Sequence, residues 1–187
     1  MDWAATYFDH YARYLGGNPG ASHFFEPPGG EPPLQILTYN EVFPGVRLYG
    51  SLGLHRYADA VGRRVEVVAP VDDGFEHLPE VLAFTLFHLV ATRTPIARGL
   101  SLQPHYELVR PEFVARFHKP AVYFQLPYGF PDGFAEVAPG AQVFGVFFLT
   151  EREHQLALSP GPAALERLFE ERRVDPMALL RPSAVGG

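Results

Sequence analysis

Metal binding or catalysis in this 187-residue chain would fall to eight histidines, a few serines and an adjacent aspartate pair. The histidines are His10, His23, His55, His77, His88, His105, His118 and His154, and they form no H-x-x-x-H, H-E-x-x-H or H-x-H pattern. A metal site needs several ligands converging on one ion, and no local spacing supplies them. His88, inside an apolar run, reads as a hydrogen-bonded core histidine rather than a ligand. Gly50-Ser51-Leu52-Gly53 falls one residue short of the G-x-S-x-G nucleophile elbow. No glycine set matches G-x-G-x-x-G or a phosphate-binding loop, so a nucleotide cradle has no support. The chain lacks cysteine, which excludes disulfides and thiolate metal sites and permits a reducing compartment. The residues therefore nominate no catalytic group, no cofactor and no metal.

Two stretches remain for recognition. Asp72-Asp73-Gly74 reads as a turn with a solvated acidic corner, which Glu76 extends towards a weak cation or partner contact. The long connection 127–140 carries Tyr128, Phe130 and Phe134 among glycines and prolines. These aromatics read as inward-facing loop anchors more readily than as an exposed patch.

A formal charge of −6 argues against a nucleic-acid partner, which selects a basic face. It suits solubility or a basic protein partner. With 47% hydrophobic residues, 16 Phe and 9 Tyr, the chain can fill a substantial core. Arginine outnumbers lysine heavily, Lys119 being the lone lysine, a bias that fits GC-rich coding. The start of the chain has neither a basic n-region nor an apolar h-region. No signal peptide, no membrane span and a cytoplasmic location are the corresponding expectations.

The elements that must position any site are organised around residues 78–91, LPEVLAFTLFHLVA. Pro79 suits a first helical turn, and the run behind it leaves almost no polar face, the mark of a buried helix. Before it comes RRVEVVAPV (63–71), a β-branched strand. At the start, Asp2 is an N-cap for a helix whose Trp3, Tyr7, Tyr11 and Tyr14 or Leu15 share one face, ended by Gly16-Gly17. Residues 18–33 read as a mobile Pro/Gly-rich loop or linker containing a strand-like His23-Phe24-Phe25.

Strands over 34–42 and 46–52 flank Pro44-Gly45 and predict an antiparallel pair. Gly50 and Gly53 mark a bulge or a close backbone approach. The region 96–118 is the least legible: 106–109 reads as a strand and 111–117 as either a helical turn or a strand. Strands over 121–126 and 142–149 follow, the second apolar enough to be covered on both faces. Thr150 and Glu153 form a capping-box pattern, and helices end at Ser159-Pro160 and Arg173, before a last turn capped by Asp175. The pattern is that of one α+β domain: a mixed, largely antiparallel sheet against a buried central helix, with N- and C-terminal helices flanking it.

The order of these motifs resembles the suppressor of fused-like domain family. YGSLGLHRY (49–57), RRVEVVAPV, LPEVLAFTLFHLVATRTPI (78–96), VFGVFFLTEREHQLA (143–157) and VDPMALLRPS (174–183) carry the resemblance. In the family they correspond to a strand ending in a Gly-Leu step, an E-L-x-x-x-L-P strand, a helix opened by Trp-Pro, and a strand leading into Thr-Glu-Glu. Leu78 stands where the tryptophan is common, and the chain ends where the first domain of the two-domain eukaryotic members ends. The resemblance implies a protein-binding domain rather than an enzyme. Single-domain bacterial members look like immunity proteins that neutralise a toxin encoded nearby by direct binding. The alternatives are a cytoplasmic regulatory scaffold that binds another protein, and a hydrolase with a site the motifs do not reveal. The family supplies no catalytic residues to carry over. The candidate partner contacts are therefore the loop residues Asp72, Asp73, Tyr128 and Phe130, since loops on a rigid scaffold concentrate binding residues.

Overall fold

A computed structural model describes residues 1–27 and 29–186. The sheet runs through the middle of the molecule, with helices on both faces. Helix α1 (Trp3–Leu15) is capped as its sequence dictates: the Asp2 side chain accepts from Ala5 N, and Gly16 closes the end in the left-handed region. Strand β1 (Ala21–Phe25) follows, then β2 (Leu34–Phe43), β3 (Val46–Leu52), the short helix α2 (Ala58–Val61) and β4 (Arg64–Val71). Helix α3 (Leu78–Ala91) leads to β5 (Ser101–Leu102), α4 (Pro111–Phe117), β6 (Ala121–Gln125), β7 (Glu136–Ala138) and β8 (Ala141–Leu149). Helices α5 (Glu151–Leu158) and α6 (Pro162–Arg172) complete the regular structure.

The sheet order is β1-β2-β3-β4-β8-β6-β5, with β7 attached to β8. All pairings are antiparallel except the central one, where β4 and β8 run parallel from Arg64↔Ala141 to Val68↔Gly145. Strand alternation sorts the core into two faces. Val65, Val67 and Ala69 of β4 and Phe144, Val146 and Phe148 of β8 face α3, whose Val81, Leu82, Leu86 and Leu89 pack on them. On the other face Val68 and Val143 meet Tyr7 and Tyr11 of α1, and Tyr123 and Leu149 meet Ala157 and Leu165 of α5 and α6. This is the α+β, mixed and largely antiparallel arrangement that the sequence predicts.

Several expectations change. The central helix is not enclosed all round: Phe84, Phe87, His88 and Val90 form a half-buried flank. A helix laid on a sheet buries the stripe facing the strands, and its outer flank depends on what else packs there. The stretch 18–33 is not simply a loop, since β1 pairs with β2 over five residues from Ala21↔Thr38 to Phe25↔Leu34; Pro28 within it lies outside the described residues. Residues 106–108 form a 3₁₀ turn rather than a strand, entered through His105 at φ 61°. The 111–117 segment is a helix with Pro111 in its first turn. The glycine reading holds: a Cβ on Gly50 would come 3.3 Å from the Tyr11 ring, and Gly53, at φ 119°, would place one 2.9 Å from the Pro33 carbonyl oxygen.

Candidate functional site

The four candidate loop residues divide between two roles. Asp72, at the end of β4, holds the C-terminal segment: its Oδ1 accepts from Leu179 N at 2.9 Å and its own amide donates to Met177 O at 3.1 Å. Asp73 pairs with Arg116 of α4, Nη2 to Oδ2 at 2.7 Å. Phe130 turns inward, stacking on Phe134 at 4.5 Å between centroids and tilting against Phe43 at 5.0 Å. Phe134 is fully buried, so both behave as loop anchors. Tyr128 does not: it is 58% exposed.

Tyr128 borders a cleft of about 660 Å³ between the β6–β8 region of the sheet and α6. Tyr123, Phe147, Leu165, Phe169 and Met177 supply its apolar lining, and Arg98, Glu166, Glu170, Arg173 and Asp175 supply charges of both signs. Arg98 Nη2 lies 2.9 Å from Glu166 Oε2, while Tyr123 Oη donates to Glu166 Oε1 at 2.8 Å. Burial and the neighbouring Glu166 raise the Tyr123 phenol well above the ordinary range, so it stays a donor at neutral pH. The Gly129 backbone passes beside Met177, where a Cβ would sit 3.6 Å from the methionine methyl carbon. Asp72 therefore acts on the cleft indirectly, by fixing the segment that carries Met177. The structure brings Asp72 and Tyr128 to that common segment and directs Asp73 and Phe130 elsewhere.

Among the described residues three polar clusters lie outside the cleft; the sequence marked single members of them, Ser51 and Gly53 in the near-elbow and Glu153 in the capping box, but not the clusters themselves. The first centres on Glu66, fully buried on the α1 side of β4. Its Oε1 accepts from Gly53 N at 2.8 Å, His55 N at 3.1 Å and His55 Nδ1 at 2.7 Å, and its Oε2 accepts from Ser51 Oγ. Ser51 Oγ in turn accepts from Val67 N at 2.9 Å. The signal available in the sequence was a lone glutamate among β-branched residues, which a buried strand tolerates only with its donors supplied.

In the second cluster His154 Nδ1 lies 2.8 Å from Ser101 Oγ. The pairing resembles a nucleophile and its base, but the hydroxyl donates to Val122 O at 3.2 Å. The hydroxyl therefore sits between a carbonyl and the imidazole, and both side chains are buried. Burial holds the His154 imidazole below its ordinary value.

The third joins Glu153, Arg181 and Lys119. Burial alone would raise the Glu153 carboxyl, but Arg181, with Nη2 at 3.1 Å, and the amides of Ala184 and Thr150 outweigh it and hold it below its ordinary value. Lys119 is fully buried, and its Nζ has no hydrogen-bond partner among the described residues. Burial, reinforced by Arg181 and opposed by Glu153 and Asp72, pushes it down to about 8. Among the described residues no group of three or more His, Asp or Glu side chains could hold a metal ion. No described helix is long and apolar enough to cross a membrane.

This architecture, a mixed sheet with a parallel central pair, α3 on one face and α1, α5 and α6 on the other, is a suppressor of fused-like fold. The crystal structure of a protein described as a SUFU (suppressor of fused protein) homolog from Neisseria gonorrhoeae matches it with a TM-score of 0.76, covering 100% of this chain and 99% of that one at 16% sequence identity. The resemblance carried by the ordered motifs is thereby borne out at the level of the fold. No family model matches the chain, and no curated protein matches it.

Proposed function

We propose that the chain is a non-catalytic protein-binding domain that receives a surface element of another protein in the Tyr128 cleft. The observation that carries this reading is Tyr128 itself: a large amphipathic side chain, 58% exposed, bordering an open cleft lined by apolar side chains and by charges of both signs. Tyrosine and arginine anchors surrounded by a water-excluding rim are what protein interfaces concentrate. The groups best suited to chemistry support the same reading, since Glu66, Ser101 and His154 are enclosed and engaged with internal partners. The setting we propose follows from the resemblance of the ordered motifs to single-domain bacterial members of the suppressor of fused-like family: an immunity protein that neutralises a toxin by occupying its surface.

The test is calorimetric titration of the chain with the product of the adjacent gene. Tyr128→Ala should weaken binding by at least ~2 kcal/mol, chiefly through faster dissociation. Arg98→Glu, which replaces the Arg98–Glu166 pair by two like charges in the lining, should weaken it by disrupting the cleft. Wild-type affinity in both variants would remove the cleft as the contact, and turnover of a small substrate without binding would remove the reading altogether.

A further inference from the structure

The opposite end of the sheet carries a second surface. β1 is the terminal strand, bonded to β2 on one side and to no strand on the other among the described residues. Its residues Ala21, Ser22, His23 and Phe24 are exposed, Phe24 at 67%. Natural edge strands are usually guarded by lysine, proline or a bulge. β1 has none of these: its sequence is Ala-Ser-His-Phe-Phe, and its five-residue register with β2 is unbroken. Beside it a groove of about 440 Å³ runs between residues 22–25 and the start of α3, lined by Glu76, His77, Pro79 and Glu80. The lining contains two carboxylic side chains and neither lysine nor arginine. Arg110, just before α4, and His77 both reach Glu80, leaving exposed Glu76 in the lining and exposed Glu26, just beyond β1, to set the sign of the surface.

We infer that the free edge of β1 accepts an extended, basic segment of another protein as an additional strand. Backbone amides and carbonyls on every second residue would supply the pairing, Phe24 a side-chain contact, and the carboxylic groups the preference for lysine or arginine. A second copy of the chain is the poorer occupant, because it would bring the same acidic lining and no arginine or lysine of its own groove to answer it. The surface is separate from the Tyr128 cleft, so failure at either site leaves the other standing.

The probe is a blocked nine-residue peptide alternating lysine and valine, with three analogues. One has glutamate in place of lysine; the other two are N-methylated on odd or on even residues. The full-length protein is followed by amide hydrogen exchange. The lysine peptide should slow exchange within residues 22–25, and the glutamate analogue at the same concentration should not. One N-methylated analogue should retain the effect and the other lose it, because a strand added to an edge pairs through one side only. Glu76→Lys, at an exposed position, should weaken the lysine peptide at least tenfold without lowering the melting temperature. Equal effects of the lysine and glutamate peptides, equal effects of the two methylated forms, or protection confined to other segments would overturn the inference. Concentration-dependent protection of β1 without peptide would overturn it in favour of self-association.

Discussion

His55 Nδ1 meets Glu66 Oε1 at 2.7 Å, while the ring of Tyr7 stacks on the imidazole at 5.6 Å between centroids. The contact ties together three separate parts of the chain: α1, the turn after β3, and the central strand β4. Gly53 makes it feasible, since its left-handed backbone returns the chain over Glu66 so that two amides and the imidazole converge on one carboxyl oxygen. A side chain that cannot reach water has replaced its hydration with protein donors.

Removing the Glu66 carboxyl group should therefore be costly. Glu66→Ala strands the donors of Ser51, Gly53 and His55 and should destabilise the protein by about 3–5 kcal/mol, the range for breaking a buried polar pair. Glu66→Gln keeps one acceptor and the shape and should cost less. Urea denaturation of the two variants provides the check, and equal losses would show that packing rather than hydrogen bonding sets the value.

Lys119 predicts a pH dependence with a definite sign. Its native value, about 8, lies below the ordinary 10.5, so between those limits the unfolded chain binds more protons. The burial cost is fully present below pH 8 and is relieved as pH rises through the window. Lys119→Met should remove that cost, stabilising the protein at pH 7 by on the order of 1–3 kcal/mol at ~1.4 kcal/mol per unit. The advantage over wild type should shrink towards pH 10. Denaturation curves at pH 7, 8, 9 and 10 would show it, and a constant difference would mean that Lys119 does not titrate in the window.

The Glu153–Arg181 pair sets the acid limb. A carboxyl held below its ordinary value contributes stability present above that value and lost as pH falls through the native one. Glu153→Gln should flatten the loss of stability below pH 5 relative to wild type. An unchanged acid limb would assign it to other carboxyl groups.

On α3 the stripe facing the sheet should dominate. Leu86→Ala, fully buried, should cost ~2–5 kcal/mol. Phe87→Ala, on the half-buried flank, should cost less despite removing more atoms. A larger loss for Phe87 would mean that its flank is better packed than its exposure indicates.

The same elements show what could be read from sequence. The bounds of α3 and β3, the Thr150 capping box and the Asp2 cap were legible because each is a local contract between near neighbours. The ordered motifs also carried the fold. The cleft was only partly legible: Tyr128 was marked by its loop, but Arg98 and Glu166 are 68 positions apart and meet only through tertiary packing. Asp73 looked like a free acidic corner because nothing local reveals that α4 presents Arg116 to it. Phe84 and Phe87 share a uniform hydropathy with Leu82 and Leu86, so periodicity had no contrast from which to tell the inner stripe from the outer flank.

The parallel pairing of β4 with β8 has a consequence for biosynthesis. Val68 must wait for Gly145, 77 residues further along, before its strand acquires a second neighbour. During vectorial synthesis the hairpins β1-β2 and β2-β3, and then β4, can assemble while the chain is still emerging, but the outer side of β4 stays open until β8 arrives. That nascent half-sheet displays apolar Val65, Val67 and Val68 beside an unsatisfied edge, the kind of surface that aggregates or recruits a holdase. Long-range pairing at the centre of the sheet also gives slow, late closure. Stalling translation between residues 100 and 140 should accordingly leave a chaperone-bound, protease-sensitive chain, and release past residue 149 should lock it.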